Sequence, residues 1–467
     1  MIHLFAFAAA VATSPTILRS ASAPAPRFVR VQLDVSAYGI AGRGEILVDR
    51  TTGRFVRRFD AGPVSEREGW DGTRAWRADA TGMPRVQGNR DERAAIVDWS
   101  HVLAPVDPAG SREHPAQPPE FTVDQPTGEV TRMVRHIGHQ TERTTFADYR
   151  TANGFVVPFT IADTSENGTW TAHVLGIDTP RTIRDAAFAP PPEPRDWSLR
   201  GVETVNLIGG ADLAVIPVSV NGGPVLRFLL DTGGQNVITP DAARRAGVEP
   251  LGEGTVGGAG AALAKIRYAS ARSVRVGGAE MRDQPFLVLD LGATAPIDGI
   301  IGYELLARFA ARIDLQRGRL ELAPDARALS PAGIAVPMVF VERQPQVDGA
   351  LDGIAGPMTI DTGSASAVDV NTPFVVAHDL RTRYHAEAGG YPISGIGGPV
   401  HAYFAHAKEL RLGELAVPDV NLLLTDAHSG AEADPTIAAN VGEQVLRRFV
   451  LVLDYRRATI HFETPSR

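Results

Sequence analysis

The chain has 467 residues, of which 44% are hydrophobic and 21% charged, and its formal net charge is −8. That length serves about three ordinary domains with cores of their own, and an acidic balance without any long run of Lys or Arg excludes a nucleic-acid footprint or a polybasic membrane patch. The absence of cysteine excludes a reactive thiol, a thiolate metal site and a disulfide framework.

From the N-terminus, the first element is an apolar run, Leu4 to Ala12, followed by the small-residue site Ala21-Ser22-Ala23. This is the pattern of a secretory signal peptide over 1–23, cut near Ala23, although Met1, Ile2 and His3 lack the usual basic residue. It predicts an exported protein, periplasmic or secreted. No other stretch is long enough to span a bilayer, so no integral membrane segment is expected in the mature chain.

Residues 27–186 read as a β-rich accessory domain. "RFVRVQLDV" alternates apolar and polar residues, "GEILVDRTTGRFVRRF" reads as two strands about a Thr-Thr-Gly turn, "WDGTRAWRA" carries an Asp-Gly turn, and "GFVVPFTIAD" is a further strand. With "FADYRTANGFVVPFTI", these strands and turns resemble the curved-sheet domain of outer-membrane lipoprotein carrier proteins. The resemblance implies an apolar concave sheet face. Such a domain would recruit substrate, fold back as a regulator, or bind lipid or lipoprotein. A Pro-rich linker follows at 187–199, where "APPPEPRDW" favours extended geometry and ends regular pairing.

Beyond the linker the chain repeats itself. "GYELLARFAARIDLQRGRLEL" from Gly302 parallels "GEQVLRRFVLVLDYRRATIHF" from Gly442, an offset of 442 − 302 = 140. Leu306, Phe309 and Asp314 then match Leu446, Phe449 and Asp454. Two lobes are assigned, 200–330 and 331–467. Two copies are too few for a solenoid and suit a pseudo-symmetric pair. Each begins with an apolar strand ending in Asp-Thr-Gly: "FLLDTGG" at Asp231 and "MTIDTGS" at Asp361. In each, a helix or turn, a Gly-rich hairpin, an apolar pair ending in Gly, a short helix and a strand pair follow.

An Asp at the inner end of a buried strand needs hydrogen-bond partners. Gly233 and Gly363 let the loop turn sharply and bring N–H groups to the carboxylate. If the two loops meet, the carboxylates cannot both ionise readily and share a proton. A carboxylate beside a carboxylic acid is poised for hydrolysis, one taking a proton from water and the other donating to a carbonyl oxygen. Ser364 follows the second triplet where Gly234 follows the first. A Ser364 hydroxyl donated to the adjacent carboxylate would leave the charge on Asp361 and the proton on Asp231.

The two units resemble retropepsin-like aspartic proteases fused in tandem, on "LLDTGG" with "DGIIG" (Asp298 to Gly302) and "TIDTGS" with "ANVG" (Ala439 to Gly442). The resemblance implies a mainly β fold, a bilobal pair of aspartic-protease β-barrels preceded by a separate curved antiparallel β-sheet domain. It makes Asp231 and Asp361 catalytic, with Thr232 and Thr362 bracing one loop against the other and Gly233, Gly363 and Ser364 shaping the loops. Gly302 and Gly442 allow close approach beneath them. "VGGAGAAL" and "SGIGGPV" resemble flaps, with Gly257, Gly258, Gly260, Gly395, Gly397 and Gly398 as their glycines. The implied activity is that of an endopeptidase without metal or cofactor, acting as a monomer on an extended protein or peptide substrate that pairs as an added strand. A catalytically weak envelope protein that keeps the fold to bind peptide or lipoprotein is the alternative, and pairing of lobes between chains is the alternative assembly.

Weaker signals read as structure. His136 and His139 lack the HExxH pattern, and Lys265 lacks the flanking Gly and Ser/Thr of a phosphate loop. Asp163 to Gly168 reads as a loop, and Asn167-Gly168-Thr169 fits a glycosylation acceptor. Asp314 and Asp454 read as turn residues, and Trp70 and Trp76 as packing or surface aromatics.

Overall fold

The structure, a computed structural model, describes residues 16–21, 24–88, 90–104, 119–208, 213–292 and 297–465. Most of the expected leader, 1–15 with Ser22 and Ala23, lies outside the described residues. The six residues before Ser22 are built into the first domain. Ile17 and Leu18 are buried, the Ile17 N–H donates to Val102 O at 2.9 Å, and Arg19 and Ser20 pair with Val156 and Phe155.

Strand accounts for 52% of the protein, so the mainly β class holds. The first domain is a 12-stranded sheet running from the edge strand Pro84–Val86 to the edge strand Glu120–Asp124. Its alternating sequences give alternating burial. In Phe28–Ala37, Val29 and Val31 face the same side as Val48 and Ile46, their cross-strand partners. Ile96, Val97, Trp99, Val102 and Leu103 of the helix Arg90–Leu103 pack into this apolar cluster. The expected apolar face is interrupted by a charged cluster beside Trp99 of the helix. There Arg57 pairs with the buried Glu68 at 2.7 Å and Arg77 with the same carboxylate at 3.0 Å, and the Arg57 and Arg135 guanidiniums lie over the Trp99 ring. Strand alternation hid these charges, because each lies on the inward face of a strand that is otherwise ordinary. Trp70 and Trp76 are core residues.

The linker is anchored rather than free. The Phe188 carbonyl accepts from Trp76 Nε1 at 3.0 Å, and Trp197–Ser198 already pairs with Met281 and Glu280 of the first lobe. The fully buried Arg308 ties three parts together. It bonds Asp196 of the linker at 3.0 Å, donates to Thr81 O of the first domain at 2.7 Å, and donates to Glu304 O of its own lobe at 3.0 Å.

Each lobe is a closed ring of six strands with two more appended. In the first lobe the ring runs Val215–Val220, Val225–Leu230, Gly299–Ile301, Val237–Ile238, Ala279–Val288 and Ala264–Val276, closing through Ser219↔Arg275. In the second it runs Gln344–Leu351, Ile354–Ile360, Ala439–Val441, Val368–Val370, Leu415–Thr425 and Gly398–Leu412, closing through Gly349↔Leu412. A six-stranded sheet takes strands from both lobes. At its centre Ala310–Asp314 lies antiparallel to Val450–Asp454, with Ala311↔Leu453, Arg312↔Val452 and Ile313↔Leu451. Under the offset of 140 this register maps onto itself, which is a pseudo-twofold axis written in the pairing. Asp314 and Asp454 are turn residues there, accepting the N–H groups of Arg317 and Arg457.

Candidate active site

The strand Val225–Leu230 delivers Asp231 and the strand Ile354–Ile360 delivers Asp361. Each runs parallel to the apolar pair of its lobe, Leu230 beside Ile301 and Ile360 beside Val441. The backbone then holds each acid in the same way. Asp231 N–H donates to Ile301 O, and Asp361 N–H to Val441 O, both at 3.0 Å. Gly233 N–H donates to Asp231 Oδ1 and Gly363 N–H to Asp361 Oδ1, both at 2.8 Å.

The threonines cross between the lobes. Thr232 Oγ1 donates to Ile360 O and Thr362 Oγ1 to Leu230 O, each at 2.7 Å. Each hydroxyl also accepts the N–H of the other threonine, at 3.0 and 3.1 Å. Both residues are 0% exposed, so this symmetric brace is shielded from water. Tyr455 adds to it, its hydroxyl donating to Thr232 O at 3.2 Å.

The brace sets the two carboxyl groups close together. A Cβ at Gly363 would lie 2.6 Å from Asp231 Oδ2, and one at Gly233 would lie 3.3 Å from Asp361 Oδ1. The loops therefore approach as closely as glycine allows. Beneath them, a Cβ at Gly302 would lie 2.1 Å from Asp231 O. Gly442 sits likewise under the second loop, its N–H on Ala367 O. Burial and the charge of Asp361 push the Asp231 carboxyl well above the ordinary carboxylate range. A neutral acid beside a carboxylate can pass protons to and from one small molecule held between them.

Ser364 does not do what its position promised. Its hydroxyl bonds Ser366 Oγ at 2.8 Å and donates to Asp369 Oδ2 at 3.2 Å, away from the dyad. The side-chain donor to Asp361 is Asn440, whose Nδ2 lies 2.9 Å from Asp361 Oδ2. The signal for Asn440 was present in the repeat, which sets it opposite Ile300, an amide against a branched aliphatic.

The glycine-rich hairpins of the two lobes meet each other. Gly257, Gly258 and Gly260 lie in the tip after the strand Leu251–Val256, and Gly395 and Gly398 face each other across the second tip with Gly397 between. Gly260 N–H donates to Ile396 O and Ala262 N–H to Gly397 O, both at 3.0 Å, and Gly258 O accepts from Ala431 N–H at 2.9 Å. The first domain grips the outer edge of the first hairpin. Glu253 N–H donates to Tyr38 O at 2.9 Å and Thr255 N–H to Asn167 O at 3.1 Å, while the Tyr38 and Tyr268 rings lie 4.9 Å apart. Asp163 ends up buried, bonded by Thr144, and His139 reaches the second lobe, its Nδ1 2.9 Å from Asp434 Oδ2. His136 is an exposed strand residue.

The aspartyl protease family model matches residues 216–305, from the strand that opens the first ring to the helix after Gly302. The chain thus carries an aspartyl-protease-like domain. No curated protein matches it.

Proposed function

We propose that the protein is an aspartic endopeptidase. Asp231 and Asp361 hold one water between them. As the water oxygen attacks the peptide carbonyl carbon, a water proton passes to the Asp361 carboxylate and the Asp231 proton passes to the carbonyl oxygen. In the second half the Asp361 proton goes to the leaving nitrogen as the C–N bond breaks, and a hydroxyl proton of the tetrahedral centre returns to Asp231. Acid, amine and the starting dyad result, so the atoms balance. The observation that carries this reading is the brace of Thr232 and Thr362, whose only evident purpose is to hold two acids from different lobes against each other. A binding protein gains nothing from paired carboxyl groups.

Substrate would enter extended between the loops and the hairpins, which requires the hairpin tips to part and reclose. The test is a cleavage profile on unfolded protein and peptide libraries, wild type beside Asp361→Asn, from pH 3 to 8. Cleavage by wild type alone supports the peptidase; two equally inert proteins point to the binding protein. Export is proposed on the leader pattern. Removal after Ala23 would strip Ile17 and Leu18 from the core they occupy, so N-terminal sequencing of the processed protein is the informative measurement.

A further inference from the structure

Apart from Gly234 against Ser364, whose hydroxyl turns to Ser366 and Asp369, the lobes differ in kind at one position beneath the triplets. Ile300 and Asn440 hold equivalent places on the strands that pass beneath the triplets, Ile300 beside Leu229 and Asn440 beside Thr359. Gly233 and Gly363 donate alike to the two carboxylates, at 2.8 Å each, and the Gly234 N–H is a further backbone donor on the Asp231 side. The side-chain donor is not matched. Asp361 Oδ2 receives Asn440 Nδ2 at 2.9 Å. On the other side the space beside Gly234 holds Asp231 Oδ2 and the Ile300 methyl Cγ2, the two lying 2.6 and 3.2 Å from where a Gly234 Cβ would stand. One acid is thus given an amide N–H and its twin a methyl group.

We propose that Asn440 is a positioning residue that holds the negative charge on Asp361 and so leaves the single proton of the pair on Asp231. An N–H donor favours the charged form of the oxygen it meets, and a methyl group offers that oxygen nothing. The Ser364 hydroxyl is already engaged by Ser366 and Asp369 and cannot supply the bias. The other titratable groups facing the pair do not cancel it. Burial pushes Asp369 up to about 6 and, with Asp369 and Asp361 near it, Glu432 up to about 8. Glu304, beside the first loop, is raised by burial and accepts the Asn236 N–H at 2.8 Å. The Tyr455 phenol is raised well above its usual range. Burial holds each of these groups protonated to higher pH than in water, and none of them donates a hydrogen bond to either carboxylate as the Asn440 amide does. The two acids therefore have fixed parts: Asp361 is always the group that takes the proton of water, and a peptide carbonyl must present its oxygen to Asp231. The catalytic meaning of this rests on the peptidase reading; the placement of the charge does not.

The test is a titration of the full chain by carbon NMR with labelled Asp carboxyl groups, run beside a pH–rate profile, for wild type and Asn440→Leu. A hydrogen bond to a charged group corresponds to about one pH unit or more. Wild type should show Asp361 as the carboxylate and Asp231 as the acid between the two ionisations of the pair. In Asn440→Leu the lower ionisation should rise by about 1 pH unit. The upper one should stay, because the lost donor served singly and doubly charged pairs alike. Asp369 should titrate unchanged. A second variant, Ile300→Asn with Asn440→Ile, should move the proton to Asp361. A purely structural role for Asn440 would lower activity at every pH without shifting the acid limb, and that result, or charge found on Asp231 in wild type, overturns the proposal. A protein that titrates as stated yet cleaves nothing retains this inference and loses the peptidase. One that cleaves with a symmetric pair does the reverse.

Discussion

Replacing Thr232 by Val keeps the shape of the side chain and removes one hydroxyl from the brace. That hydroxyl donates to Ile360 O at 2.7 Å and accepts Thr362 N–H at 3.0 Å. Both threonines are 0% exposed, so water cannot take its place. Two buried backbone groups are left without partners, at about 1–3 kcal/mol each, and the expected loss is about 4 kcal/mol. Urea unfolding of the full chain measures it, with Thr232→Ser as the control. Serine keeps the oxygen and should lose only about 1 kcal/mol, the contribution of one buried methyl group. Thr362→Val should behave as Thr232→Val does, since the brace is symmetric. A valine variant within about 0.5 kcal/mol of wild type would mean that the two loops do not depend on these bonds and that the threonines do not hold the two acids together.

Glu432 makes the protein less stable as pH rises. Its folded carboxyl is pushed from an ordinary 4.5 up to about 8 by burial and by Asp369 and Asp361, so between those values the folded chain keeps a proton that the unfolded chain releases. Stability falls across that window and levels off above it. Glu432→Gln removes the titration and should be more stable than wild type at pH 8 by about 4 kcal/mol, with the two alike near pH 4; a difference independent of pH would refute this. Arg308→Met leaves Asp196, the Thr81 carbonyl and the Glu304 carbonyl without their shared donor, and should lower stability by about 3–5 kcal/mol in thermal or urea unfolding. Gly302→Ala places a methyl group 2.1 Å from Asp231 O and 2.4 Å from Gly234 O. Backbone must move to admit it, so the first loop should be displaced and peptide cleavage lost even where the variant still folds by circular dichroism.

Much of this was legible in the chain because the repeat acts as an internal comparison. The offset of 140 that aligned Asp314 with Asp454 is the symmetry of the central strand pair, and the apolar runs before the two triplets are strands, as their sequence indicates; the place of the glycines beneath the triplets came from the family resemblance. The helix Pro240–Ala246 begins at Thr239, whose side chain accepts the Ala242 N–H, and ends at Gly247 in the left-handed region. What could not be read depends on contacts between residues far apart in sequence. Ser364 had a choice of acceptors, and the strand Val368–Val370 brings Asp369 to its hydroxyl instead of Asp361. The repeat marks Asn440 as unlike Ile300, but it lies 79 positions from the carboxylate it meets, and no local pattern assigns it that partner. The grip of Tyr38 and Asn167 on the first hairpin likewise belongs to the docking of whole domains, which alternation within a strand does not encode.

The central claim is that one chain brings Asp231 and Asp361 together around a single reacting water. A peptide isostere with a secondary hydroxyl in place of the scissile carbonyl mimics the tetrahedral centre of that reaction, and tight binding of such a mimic is a mark of a site complementary to it. Calorimetric titration of the purified full chain should show one isostere bound per chain at pH 5, with binding lost in Asp231→Asn and in Asp361→Asn alike. Binding that survives either substitution, or a stoichiometry of one isostere per two chains, would contradict the account.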